Sequence, residues 1–468
     1  MQLTSTNSVV LINPWQFTEK EIISRAWPPL SLANCAAMLR ERGFKVSIID
    51  ANAERLEPKK VAERMQQINA NKIFITSTPI DRWQCPYVDL RPFLECVRAV
   101  RNSRDFAFVN AGTKIYVMGA HGTVEPKRIL QMTKADAVII GEPELTIVDL
   151  CEKDDLKKVN GVCYKNGKRI VVKPRKKLLD LGKLPIPAFD LLPTDKYFYE
   201  LLGKNFTLLE ASRGCPFDCV FCMKKMYGKG YRKKPLGKLI AEIENVISLG
   251  VKNVYFIDLE FTVDRQFVEK LCDYLIAKRK EGYEFNWCCQ TRADTVDRKL
   301  LKKMYDAGCK LIHFGVESGS PRMIKIMNKM TSLEKIEEGV KAAMDIGIEA
   351  ACFFMFGLPT ETESDMQQTI DFAKRLNPTY ASFHVAIPYT GTKFGDGTVG
   401  TCNQENKQKT FQTFFPLCDP SRNYNKLRAI TKKAYVQFYL RPSYLMSAIR
   451  QNPKLMAKQF KLFLRYIS

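Results

Sequence analysis

The stretch Ala211-Ser-Arg-Gly-Cys215-Pro-Phe-Asp-Cys219-Val-Phe-Cys222 sets three thiols apart by three residues and then by two. The apolar run 206–209 precedes it, so a strand delivers the cysteines into a tight Gly/Pro loop where their sulfurs can converge on one metal centre. A structural zinc site takes four closed ligands. No fourth is near: the histidines are His121, His313 and His384, and no cysteine follows Cys222 until Cys272. An iron–sulfur cluster held by three thiolates leaves one iron open, free to bind a ligand and pass it an electron.

The elements around this loop read as an α/β domain. From 206 onward six strands can be counted, at 206–211, 253–258, 284–290, 310–315, 349–357 and 380–387, with helical patterns at 236–249, 265–278, 298–307, 333–346 and 363–376. Six such units are too few for a closed eight-stranded barrel, but chemistry still collects at the carboxyl ends of the strands. Asp258 and Glu260 close the second strand and point to one side if it continues. They suit an ammonium or sugar hydroxyls of a ligand, although acids there also serve as helix caps, as Asp264 is expected to. Arg292 ends the third strand and calls for a carboxylate, from a ligand or from Asp258 or Glu260. Glu317 and Ser318 end the fourth. The loops 357–362 and 388–392 follow the fifth and sixth, Tyr389 being either a radical or proton donor or a packing residue. Cys288 and Cys289 are strand neighbours, face opposite ways and read as core.

The first 150 residues alternate strands at 9–12, 45–50, 72–76, 114–119 and 137–141 with helices at 29–42, 88–101, 126–133 and 145–153. That order predicts a parallel, doubly wound, Rossmann-like sheet that binds ligands at its carboxyl edge. Four of its strand ends carry small or turn-forming residues: Asn13-Pro14, Thr76-Ser77-Thr78, Gly119-Ala120-His121-Gly122 and Gly141-Glu142. They let a large flat ligand approach the backbone; on spacing alone they also read as ordinary turns. Further on, 159–163 and 169–173 flank Asn166-Gly167, a hairpin signal, before Pro185, Pro187 and Pro193 mark a linker. The expected layout is a first domain at 1–155, a hairpin and linker at 156–200, a second domain at 201–395 and a basic helical region at 396–468.

Composition narrows the class. With 468 residues, 46% of them hydrophobic, the chain can build two or three cores. It has no apolar run near the ~20 residues that span a bilayer, and its first residues lack a secretion-signal layout, so a cytoplasmic location is expected. Fifteen cysteines at this length are no secreted disulfide framework. The net charge of +23 points to an anionic partner: nucleic acid, phosphorylated substrate, anionic cofactor or membrane. After Asp419 no acidic residue follows. In 453–467, Leu455, Met456, Phe460, Phe463, Leu464 and Ile467 fall at helical spacing among Lys454, Lys458, Lys461 and Arg465. This basic amphipathic helix either lies on an anionic membrane, favouring a lipid substrate, or docks on the second domain.

The C-x3-C-x2-C pattern with Phe221 before its last cysteine resembles the radical S-adenosylmethionine (SAM) enzymes. The resemblance implies a [4Fe-4S] cluster on Cys215, Cys219 and Cys222, whose open iron chelates SAM and splits it into methionine and a 5′-deoxyadenosyl radical. It puts Phe221 beside the adenine, makes the second domain a partial (β/α)6 barrel, and gives Asp258, Glu260, Arg292, Glu317 and Ser318 to SAM. With this motif downstream, the turns of the first domain resemble the cobalamin-binding domain of B12-dependent radical SAM proteins. That implies a corrinoid surrounded by Asn13, Pro14, Thr76, Ser77, Gly119, His121, Gly122, Gly141 and Glu142. The Asp-x-His-x-x-Gly motif that would place a histidine below cobalt is missing. The segment 81–86, with Trp83, either covers that lower face or packs as a loop.

The family resemblance further implies methylation of an unactivated carbon, one SAM giving the methyl group by way of the corrinoid and another giving the radical. Rearrangement, cyclisation or carbon–carbon coupling would suit the same architecture. A small-molecule or lipid substrate and an electron donor such as flavodoxin or ferredoxin are the expected partners. A tRNA methylthiotransferase would bring further cluster cysteines in its first domain, where Cys35, Cys85 and Cys96 are scattered, and no compact RNA-binding module is evident, so nucleic acid is not an expected partner.

Overall fold

The computed structural model describes residues 8–16, 26–68, 70–78, 89–102, 112–228, 230–399 and 423–451. The segment 81–86 and the basic stretch 453–467 lie outside the described residues. Runs rich in Val and Ile build the first sheet, since branched side chains pack well on a pleated surface covered on both faces. Its strands are β1 (Ser8–Asn13), β2 (Lys45–Asp50), β3 (Lys72–Thr76), β4 (Lys114–Met118), β5 (Ala137–Ile139), β6 (Val162–Asn166) and β7 (Arg169–Lys173), ordered β2-β1-β3-β4-β5-β6-β7. β1 to β5 pair in parallel, with the helices Leu30–Arg40, Pro58–Ile68, Arg91–Asn102, Pro126–Thr133 and Glu144–Glu152 between or after them.

β6 and β7 form the expected hairpin. The Asn166-Gly167 hairpin pairs antiparallel with β5 and extends the first sheet by two strands. Without it the edge of β5 would expose unpaired amides and carbonyls; Val162, Cys163 and Tyr164, all buried, cover that edge instead.

The later strands are β8 (Phe198–Tyr199), β9 (Gly203–Lys204), β10 (Phe206–Leu209), β11 (Ser212–Gly214), β12 (Tyr231–Lys233), β13 (Asn253–Phe256), β14 (Asn286–Thr291), β15 (Cys309–Glu317), β16 (Glu349–Phe356) and β17 (Tyr380–Val385). The second large sheet runs β10-β13-β14-β15-β16-β17, two strands short of a closed barrel, and β14 to β17 pair in parallel. Four of its helices begin where a side chain satisfies a free amide. Asp264, Asp297, Ser332 and Thr362 each accept from the amide three residues on.

Within the described residues one compact unit holds the chain up to 214 together with 223–254, and the other holds 215–222 together with the chain from 255 onward. The described cysteines outside the loop, Cys288 and Cys289 among them, are all buried. No described helix is long and apolar enough to cross a membrane.

Candidate active site

The cysteine loop begins where β11 leaves its antiparallel ladder with β12. Gly214 sits there at φ +85°, and a Cβ would collide with the Gly230 carbonyl, so only glycine makes this exit. Residues 215–222 are then clasped by the second unit. Val220 N donates to Met327 O at 3.1 Å, Phe394 N to Val220 O at 3.0 Å and Asn328 Nδ2 to Asp218 O at 2.9 Å, while Lys393 pairs with Asp218 at 2.6 Å. Cys215, Cys219 and Cys222 are all partly exposed. Among the described residues no three His, Cys, Asp or Glu side chains are gathered as a metal site. As a donor set, three accessible sulfurs on one loop fit a cluster with one open iron.

Two aromatic rings of the loop are already engaged. Phe221 packs against Met323, Met327, Leu358 and Phe394, a polarisable, methionine-rich wall. Phe217 lies 4.0 Å under the Arg292 guanidinium. Arg292 is held by Asp294 at 2.7 Å and donates to Lys329 O at 2.6 Å. Its remaining terminal nitrogen, Nη1, is buried without a hydrogen-bond partner, so the site has one strong donor to spare for an anionic ligand.

The other strand-end residues divide. Asp258 is buried just beyond β13. Glu260 is enclosed by hydroxyls, accepting from Thr291 at 2.5 Å, Thr295 at 2.9 Å and Thr262 at 3.2 Å; burial raises its pKa against those bonds. Glu317 sits at a bulge of β15 with φ +71°, folded back over Gly315, where a Cβ would meet its Oε1 at 2.5 Å. It pairs with buried Lys329 at 3.4 Å, and burial raises its pKa although Lys329 opposes the shift. Ser318 shares a 3.0 Å bond with Thr369 and accepts from Ser320 N, so it braces the loop. Tyr389 is buried, and Glu361 accepts from Gly357 N and Leu358 N, which makes 357–361 a closed turn.

In the first unit the predicted residues gather along the carboxyl edge of β1, β3, β4 and β5. Asn13 is fully buried; its Nδ2 donates to Asp50 Oδ1 at 2.7 Å, its Oδ1 is buried without a partner, and Pro14 follows it, also buried. Asp50 further accepts from Tyr197 OH at 2.6 Å, and burial raises its pKa from 3.8 to about 6. Thr76, Ser77 and His121 are buried, and His121 Nδ1 and Ser77 Oγ share a 3.0 Å bond. Gly119 turns at φ +112°, and a Cβ there would meet Thr78 Oγ1 at 2.6 Å and Ser77 Oγ at 2.7 Å: a cradle of hydroxyls that requires glycine. Gly122 is packed on Val138, and Gly141 N donates to Thr123 Oγ1 at 2.9 Å. A cavity of about 210 Å³ opens beside Gly141, Thr123, Arg175 and Met226. Orphaned Asn13 Oδ1 and this glycine-and-hydroxyl edge fit a large polar ligand. Glu142 also lines this cavity, and its carboxylate pairs with Arg232 and faces Arg213.

A doubly wound sheet with a polar carboxyl edge, followed by a partial barrel with a three-thiol loop, defines a class of cofactor enzyme. Residues 209–373 match the family model of the Radical SAM superfamily and residues 23–151 that of the B12 binding domain. An uncharacterized methyltransferase of Pyrococcus horikoshii is 31% identical over 458 residues, 95% of each chain. An anaerobic magnesium-protoporphyrin IX monomethyl ester cyclase of Rubrivivax gelatinosus is 26% identical over 81% of this chain and 68% of its own. The cobalamin-dependent SAM radical enzyme OxsB, solved with aqua-cobalamin and SAM bound, shares the fold at a TM-score of 0.76 and 16% identity, over 98% of this chain and 71% of that one. The chain belongs to the cobalamin-dependent radical SAM enzymes, whose cofactors are a [4Fe-4S] cluster, SAM and cobalamin.

Proposed function

We propose that the chain transfers a methyl group to an unactivated carbon of a small molecule. The observation that carries this reading is the alignment, over 95% of both chains, with a relative named as a methyltransferase. When bound, the cluster and SAM supply a carbon-centred radical by one-electron cleavage, and cobalamin supplies carriage of the methyl group. The protein's part is to bind, orient and shield. On this reading Cys215, Cys219 and Cys222 hold three irons of the cluster and leave the fourth to SAM. Arg292, rigid over Phe217 and with Nη1 to spare, takes the carboxylate of SAM. Asp258 takes its ammonium or ribose hydroxyls, and Phe221 with its methionine neighbours forms the apolar side of the adenine site. Glu260, Glu317 and Ser318 hold the strand ends in place through their threonine, lysine and serine partners. The first unit holds the corrinoid at Asn13, Pro14, Thr76, Ser77, Gly119, His121, Gly122 and Gly141. A low-potential donor, a flavodoxin or ferredoxin, supplies the electrons.

A second reading, ring closure or other radical coupling without methyl transfer, is favoured by the similarity to the Rubrivivax cyclase. Product analysis separates the two. The hydrogen taken from the substrate carbon appears in 5′-deoxyadenosine in both cases, but only methyl transfer also leaves S-adenosylhomocysteine. Anaerobically reconstituted protein, given SAM, reductant and substrate, is expected to form both nucleosides in step with a methylated product by mass spectrometry. Turnover that yields 5′-deoxyadenosine alone favours the second reading.

A further inference from the structure

Apart from the thiol loop, a group of buried charges lies around Arg213, two residues before Cys215. Its side chain is 4% exposed; Nε donates to Glu210 at 2.8 Å, Nη2 to Glu144 at 2.6 Å, and Nη1 stands 3.7 Å from Glu142. Glu144 and Glu142 are themselves 0% and 5% exposed. Across the β11–β12 ladder Arg213 is paired in register with Arg232, whose guanidinium grips Glu142 from the other side. One residue past that strand's Lys233, Lys234 is buried against Glu242 at 2.7 Å, and its amide donates to Ala211 O at 2.8 Å. All these side chains belong to the first unit. The two strands that flank the thiol loop in the chain are thus pinned by buried ions.

Burying so many charges works against stability, and apolar side chains of similar volume would hold a ladder at least as well. What ions with fixed hydrogen-bond geometry add is position. Arg213 has a planar fork of donors that bonds Glu210 through Nε and Glu144 through Nη2, with the charge of Glu142 3.7 Å from Nη1, which fixes the guanidinium and therefore the backbone of β11. The next residue, Gly214, has no freedom either, because it is pressed against Gly230. We propose that Arg213, through Glu142, Glu144 and Glu210, is a positioning residue that sets where the Cys215 thiolate stands and thereby the geometry of the open iron. The proposal rests on Cys215, Cys219 and Cys222 as cluster ligands, and it gives Glu142 a role in the thiol loop.

The test uses the full chain, reconstituted anaerobically with iron and sulfide, as wild type, Arg213→Lys, Arg213→Met and Cys215→Ala. Circular dichroism reports folding, iron content reports loading, and electron paramagnetic resonance of the reduced cluster, recorded with increasing SAM, reports the open iron. Arg213→Met is expected to load iron yet bind SAM about tenfold more weakly with an altered spectrum, and Arg213→Lys to recover part of the loss. A wild-type spectrum and SAM affinity in folded Arg213→Met would overturn the proposal. Should that variant fail to fold, Glu142→Gln and Glu210→Gln, which keep an acceptor, make the same comparison, and wild-type behaviour in both would overturn it. Failure of the underlying assignment shows separately, as a Cys215→Ala chain that keeps the wild-type spectrum.

Discussion

Each thiol, carboxylate and guanidinium here is defined by what surrounds it. Glu317 and Lys329 are 11% and 5% exposed at the side chain, so removing one leaves the other buried and unpaired. Lys329→Met is expected to lower stability by about 3 kcal/mol in denaturant unfolding, and Glu317→Gln added to it to restore most of that. If the double variant is no better than the single one, the pair is not what holds the β15 bulge. Asp50 gives a pH signature. Its native pKa lies near 6 against 3.8 unfolded, because burial outweighs the bonds from Tyr197, Asn13 and two amides. The native state therefore binds the proton more tightly, and this contribution is fully present below the unfolded value. It is lost as pH rises from about 4 to about 6, by about 3 kcal/mol. Asp50→Asn is expected to flatten the stability profile over that interval, and an unchanged slope would remove Asp50 as its source. None of this could be read from the sequence. Tyr197 lies 147 positions from Asp50 and Arg213 lies 69 from Glu144, separations that only the folded chain closes. The cysteine loop was legible because its three thiols are local.

At the scale of elements, the alternation of strands and helices was legible because parallel strands must be joined by helices long enough to cross back. The hairpin β6–β7 was legible as a hairpin but not in its place, since nothing in Asn166-Gly167 says which edge it covers. The ion pairs of Glu142 were illegible for the same reason: nothing in a Gly-Glu turn says that Arg213 and Arg232 lie beside it. Packing between elements gives a paired prediction. In the helix Leu333–Ile346, a Cβ on Gly339 would run into the Ala293 carbonyl, whereas a Cβ on Gly237, in the helix Leu236–Ser248, would meet nothing within 4 Å. Gly339→Ala is expected to destabilise by about 1–3 kcal/mol and Gly237→Ala to stabilise by about 0.5 kcal/mol in the same denaturant titration. Equal effects would mean that the approach of the helix to the 293–295 turn is not close in solution.

For the whole molecule, a corrinoid-type sheet and a thiol-bearing partial barrel in one chain define an enzyme of the cobalamin-dependent radical SAM family. The charge of +23 fits anionic ligands, yet neither family model is one of nucleic-acid recognition. Substrate choice was not legible, because it depends on side chains that no local motif brings together. The cleavage step needs no knowledge of the substrate. Given SAM and a chemical reductant under strict anaerobiosis, the wild-type chain is predicted to release 5′-deoxyadenosine, measured by mass spectrometry. Cys215→Ala, Cys219→Ala and Cys222→Ala are each predicted to release none above the enzyme-free background; release from any of them at the wild-type rate would contradict the account.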